Sequence, residues 1–147
     1  MFEEYFAGEN AEHQSEVIST KTVMLFKDPN PIKRSVTRII WHPDHSTDAR
    51  VLVCYSVLRF QQMNSKMSNE SYIWNLSNPN VPEKTLLPTS PLCTAAFNPK
   101  NPNHIMAGQY NGGVCFFDTT KTGSNGVCLP LFTTLLETSH HDPIYDL

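Results

Sequence analysis

Short apolar runs divided by turn residues set the rhythm of this chain, and two of them in succession tell little until the pattern starts over. Lys21-Thr22-Val23-Met24-Leu25-Phe26 reads as a strand, closed by the turn residues Asp28-Pro29-Asn30-Pro31. Val36-Thr37-Arg38-Ile39-Ile40-Trp41-His42-Pro43 then aligns with Leu92-Cys93-Thr94-Ala95-Ala96-Phe97-Asn98-Pro99 at an offset of 56 residues. Each is an apolar strand ending in an aromatic, a polar residue and a proline. A second strand follows in both units, at Val51–Ser56 and His104–Gln109, and a third at Ser71–Asn75 and Gly113–Asp118. A weaker fourth strand closes each unit, at Lys84–Leu87 and Leu131–Leu136. The motif opens again at Ile144-Tyr145-Asp146-Leu147. Repetition at such a period signals stacked copies of one supersecondary unit.

Four antiparallel strands per unit, with the third ending in an aromatic plus Asp or Asn, make this an all-β chain that resembles a WD40-type β-propeller. The resemblance implies about two four-stranded antiparallel blades plus the start of a third. Residues 1–20 hold five glutamates and no Lys or Arg, and read as an acidic lead-in. The opening strand and turn take residues 21–34, the first blade 35–88, the second 89–138 and a truncated third 139–147. Trp41, Val53, Trp74, Phe97, Met106 and Phe116 are expected inside or between blades. A propeller takes at least about four blades of roughly 40 residues, so the chain reads as a fragment whose outer blade faces and strand edges are exposed. Both units are longer than the usual repeat, by Val57–Glu70 in the first and Thr119–Pro130 in the second. Loop insertions cost little closure entropy, and these two are the expected partner-facing loops, with Phe60 and Met63 as anchors.

Asn111-Gly112 reads as a two-residue hairpin turn, since type I′ geometry needs positive φ at both central positions. In the WD40 family an Asp usually stands at Asn111 and a Trp at Phe117; Phe lacks the indole N–H, which weakens the family's polar relay from His through the turn Asp to Trp. Asp118 keeps the acidic member, whereas Trp74-Asn75 keeps the indole and replaces Asp by Asn. Ser139-His140-His141-Asp142-Pro143-Ile144 matches the family's Gly-His approach to a new blade, giving His140 and Asp142 structural positions. The competing reading makes His140, His141 and Asp142 metal ligands or a catalytic group of a hydrolase. Adjacent residues on an extended chain point to opposite sides, and no second cluster at a recognised spacing completes a site. Phosphate loops, nucleophile elbows and HExxH helices are absent; the expectation is no catalytic residue, no metal and no cofactor.

Composition narrows the setting. The 147 residues carry a net charge of -3 and 17% charged residues, which suits neither nucleic-acid binding nor a polybasic membrane tether. No apolar run is long enough to span a bilayer, and the N-terminus has no signal-peptide pattern. Cys54, Cys93, Cys115 and Cys128 form no CxxC pair, and three of them sit in apolar runs, so buried reduced thiols are expected. Lys33, Arg34 and Arg38 read as a solvated basic cluster.

A finer resemblance, over about residues 21–147, is to the axonemal outer-arm dynein intermediate chains. It rests on Thr22–Lys33, Trp41-His42-Pro43-Asp44, Ser71-Tyr72-Ile73-Trp74-Asn75-Leu76-Ser77-Asn78-Pro79, Phe97-Asn98-Pro99-Lys100, Tyr110-Asn111-Gly112 and Ser139–Tyr145. It implies a non-catalytic scaffold in the cytoskeleton of the ciliary or flagellar axoneme, with the dynein heavy chain, a second intermediate chain and light chains as partners. The light-chain-binding extension is mostly missing from this chain. The alternative within the same fold is a WD40 adaptor of another intracellular complex, cytoplasmic dynein or a ubiquitin ligase.

Overall fold

The computed structural model describes residues 19–44, 46, 48–57 and 66–147. In chain order its strands are β1 (Ser35–Trp41), β2 (Arg50–Ser56), β3 (Ser71–Asn75), β4 (Lys84–Leu86), β5 (Leu92–Phe97), β6 (His104–Gln109), β7 (Val114–Asp118), β8 (Val127–Cys128) and β9 (Phe132–Thr133). They form two sheets, β1-β2-β3-β4-β8 and β5-β6-β7-β9. Within each, the first four strands are antiparallel neighbours in chain order, except that β8 leaves between β7 and β9 to join the other sheet. The two sheets are copies. The ladder slips between Val36 and Arg38 in the first and between Leu92 and Thr94 in the second. Trp74 pairs with Val51, as Phe117 pairs with Ile105. The chain therefore carries two consecutive WD-type blades.

The two-residue period of a strand divides each blade into two faces. Leu52, Cys54, Ile73 and Leu86 of the first sheet meet Leu92, Ala95, Ile105, Ala107, Cys115 and Phe117 of the second in the main core. The alternate residues Val51, Val53, Tyr55, Tyr72 and Trp74 form a separate cluster on the far face of the first sheet. Phe26 covers it, its ring 5.4 Å from that of Trp74. Burying each large apolar side chain contributes about 1.5–3 kcal/mol, and both sheets depend on the interface because neither covers its own faces.

Several expectations need correction. Lys21–Phe26 joins no ladder; it crosses the face of the first sheet, docking Phe26 while Val23 and Leu25 stay exposed. Ile144–Leu147 is likewise no strand. Its Ile144 N–H donates to Gln109 O at 3.3 Å, and the preceding Pro143 has no N–H with which to extend a ladder. The closing strand of the second unit shrinks to β9, followed by a 3-10 turn at Leu136–Thr138. Val53 and Trp74 are buried, but Trp41 and Met106 are 57% and 42% exposed. Trp41 ends the edge strand β1, and Met106 alternates with the inward-facing Ile105 and Ala107.

Thr119–Pro130 departs furthest from its sequence reading as a partner-facing loop. It folds back, with Gly126 at φ +71°, and lays β8 parallel to β4 of the other blade. The Thr85 and Leu87 amides donate to Gly126 O and Cys128 O, both at 3.0 Å. An unpaired sheet edge invites intermolecular pairing, and this insertion occupies the edge from within.

Candidate docking surfaces

Trp74 and Phe117, the two aromatic positions of the repeat, are both fully buried. Phe117 lies in the core between the sheets and Trp74 in the outer cluster, which is the same side of each blade. Asn75, paired with Arg50 in the ladder, accepts the Ser77 amide at 2.8 Å and donates to Asp48 at 3.3 Å, closing the turn after β3. Asp118, at the matching place, accepts the Thr120 hydroxyl at 2.6 Å and the Thr120 amide at 2.9 Å. Those two donors hold its carboxyl below the ordinary value.

At the turn after β6, Asn111 accepts the Gly113 amide at 3.1 Å and Gly112 sits at φ +83°. The His140 backbone crosses directly over Gly112, whose O accepts the His140 N–H at 3.2 Å. A Cβ at Gly112 would lie 1.8 Å from His140 O, so only glycine fits. The His140 contact is thus made by backbone. The side chains of His140, His141 and Asp142 are exposed, and among the described residues no group of three His, Cys, Asp or Glu side chains is placed to hold a metal ion. Phe60 and Met63 lie outside the described residues.

The residue that the sequence concealed is Arg34. Expected to be solvated, its side chain is fully buried. It pairs with Asp28 through two hydrogen bonds, Nε to Oδ2 at 3.0 Å and Nη2 to Oδ1 at 2.8 Å. It also donates to Ser68 O, Glu70 O and the Tyr72 hydroxyl. Its guanidinium lies over the Tyr55 ring, 4.7 Å from the centroid, and 5.6 Å from that of Tyr72. Burial opposes the charge, but the Asp28 carboxylate outweighs it and raises the Arg34 pKa. The planar fork of Arg suits this many acceptors as Lys does not. Arg34 fastens the segment leading into β1 across the first blade, to chain more than thirty residues away. The signal was available in the spacing Asp28-(five residues)-Arg34 across a Pro-rich turn, but nothing local distinguishes it from a surface pair.

All four cysteines are free and buried. Burial pushes every thiol pKa up, that of Cys115 to about 12, so they are packing groups and poor nucleophiles. On the rim between the blades, His42, Arg50, Glu83, Lys84, Phe97 and Thr119 border a small polar cleft. There Arg50 Nε contacts both Glu83 oxygens at 2.8 and 2.9 Å, and Lys84 donates to Thr119 O at 2.9 Å.

Fold and surfaces together define a class, part of a WD-type β-propeller that offers rigid faces, loops and edges. No family model matches the chain. It is 48% identical to the 70 kDa intermediate chain of flagellar outer-arm dynein from Chlamydomonas reinhardtii, over 99% of this chain and 25% of that protein. It is 43% and 45% identical to dynein axonemal intermediate chain 2 of Xenopus laevis and Homo sapiens, again over 99% of this chain and over 24% and 23% of theirs. Over nearly its whole length the chain is similar to axonemal dynein intermediate chains, and it spans about a quarter of the length of these relatives. These relatives are proteins of the flagellar outer arm and the axoneme.

Proposed function

We propose that the chain is a non-catalytic scaffold segment of an outer-arm dynein, one that helps dock the intermediate chain on the tail of the heavy chain. The observation that carries this reading is the identity of 43–48% sustained over 99% of the chain with intermediate chains of axonemal dynein. The geometry is compatible with it: two packed sheets make a stiff body, and recognition by such bodies uses loops and edges rather than moving parts. A second intermediate chain and light chains are the further partners, and ATP hydrolysis belongs to the heavy chain. His140, His141 and Asp142 serve the backbone approach to the next blade and take no part in chemistry.

The test is isolation of the intermediate chain carrying this segment from a salt extract of axonemes. Heavy chain should co-purify with it, and the ATPase rate of the complex should be unchanged by the triple substitution His140→Ala, His141→Ala, Asp142→Asn. A soluble partner set lacking heavy chain would refute the docking role, and a lost ATPase in an intact complex would refute the non-catalytic one.

A further inference from the structure

Two Asn-Gly pairs occur in the sequence, Asn111-Gly112 and Asn125-Gly126, and both stand in the same kind of turn. In the first, the Gly112 amide donates to Gln109 O at 3.1 Å and the Gln109 amide to Gly113 O at 2.8 Å. In the second, the Gly126 amide donates to Gly123 O at 3.0 Å and the Gly123 amide to Val127 O at 2.9 Å. Both glycines take positive φ, +83° and +71°, and with no Cβ neither shields its own amide nitrogen from the asparagine before it. The surroundings differ. Gly112 is buried under the His140 backbone, and the Gly113 amide holds Asn111 Oδ1 at 3.1 Å. Residues 121–125 are all exposed, and the Asn125 carboxamide has no hydrogen bond among the described residues. A short exposed turn opens at little cost, whereas a covered one opens only together with its neighbours.

We propose that Asn125-Gly126 is a site of self-modification by deamidation, and that the isoaspartate formed there releases β8 from β4. When the turn opens, the Gly126 amide nitrogen gives its proton to solvent base and attacks Asn125 Cγ. The new N–Cγ bond closes a succinimide ring. The Cγ–Nδ2 bond breaks, and Nδ2 leaves as ammonia with a proton returned from solvent. Water then opens the ring, its hydroxyl going to the carbonyl carbon and its hydrogen to the nitrogen. Opening at Cγ gives Asp. Opening at the backbone carbonyl of residue 125 gives isoaspartate, with the chain running through Cγ and lengthened by a methylene. Nothing is oxidised or reduced. The added methylene falls immediately before Gly126, whose O accepts the Thr85 amide at 3.0 Å, as Cys128 O accepts that of Leu87. Strand β8 is only 2 residues long and Cys128 is fully buried, so no slack absorbs the extra length. The pairing of Thr85 with Val127 and of Leu86 with Cys128 is lost. The edge of β4 is then open, with a new negative charge beside it. The insertion that covers the first sheet thus carries a chemical clock for uncovering it.

The test is ageing of the full-length protein in its native assembly at mildly alkaline pH, followed by peptide mapping that separates Asn, Asp and isoaspartate. Conversion at Asn125 should run at least about tenfold faster than at Asn111, with isoaspartate the larger product. Amide hydrogen exchange over residues 84–88 should be about tenfold faster after ageing than before. The assembly carrying Asn125→Gln keeps a carboxamide that does not close this ring, and its exchange over residues 84–88 should not change on ageing. Asn125→Asp adds the charge without lengthening the chain, and before ageing it should leave that exchange slow. Equal rates at the two asparagines, or an Asn125 that persists, overturn the site. Conversion that leaves exchange over residues 84–88 unchanged, or fast exchange in the unaged Asn125→Asp protein, overturns release through backbone length.

Discussion

Arg34 shows how far a single side chain decides the shape of this molecule. Its guanidinium holds Asp28, two backbone carbonyls and two tyrosine rings within a fully covered site. Removing one partner of a buried pair leaves the other uncompensated, which costs about 3–5 kcal/mol. Arg34→Met should therefore lower the urea midpoint by an amount corresponding to about 3 kcal/mol. Arg34→Lys should recover little of it, since the ammonium cannot reach the same acceptors. The thiols give a second prediction at this scale. Cys115 rises from an ordinary 9.0 to about 12 in the fold. Between those values the native state holds a proton that the unfolded state releases, so stability falls as pH rises through that window and is full below it. Denaturant midpoints at pH 8 and pH 10 should show that loss, and alkylation of Cys115 at neutral pH should require unfolding.

At the scale of elements, the repeat was legible because strands have a two-residue period and each unit spells it twice. Val36 and Leu92 hold equivalent places in β1 and β5, and even the ladder slips that follow them coincide. The closing stretches were harder to read. Leu131–Leu136 has the composition of a strand, yet β9 keeps only Phe132 and Thr133, and the chain soon enters the 3-10 turn at Leu136–Thr138. Lys21–Phe26 is apolar enough for a strand, but its burial comes from Phe26 stacking on Trp74 across a face, a contact that no local pattern encodes. The Thr119–Pro130 insertion looked like a loop since Gly, Ser and Thr dominate it. Its two paired residues are recruited by the open amides of Thr85 and Leu87 on the other blade. Replacing residues 120–129 with a short Gly-Ser turn should uncover β4, and analytical ultracentrifugation should then show association that the parent chain lacks under the same conditions.

Across the whole molecule, the two sheets share one core and each keeps one face turned outward. The far face of the first sheet carries Trp74, Tyr72 and Val53 under a thin cover, with Trp41 and Ile39 exposed beside it. The far face of the second holds Gly108, over which Ile144 lies so closely that a Cβ would stand 2.6 Å from it. Gly108→Val should expel Ile144 and leave the core between the sheets in place; near-ultraviolet circular dichroism of Trp74 should be unchanged while the Ile144 amide loses protection. The candidate site was legible only in its scaffold positions. Trp74, Asn75, Gly112 and Asp118 could be named from the repeat, whereas the clamp at Arg34 arises from long-range packing. Affinity for other dynein subunits is a property of the assembled surface, and it reached the sequence only through likeness to the intermediate chains. The most direct measurement of that role is the distribution of the tagged protein in ciliated cells with and without outer dynein arms. An outer-arm scaffold gives an axonemal signal that disappears when the arms are missing. A signal that persists on armless axonemes, or that never enters the axoneme, would contradict it.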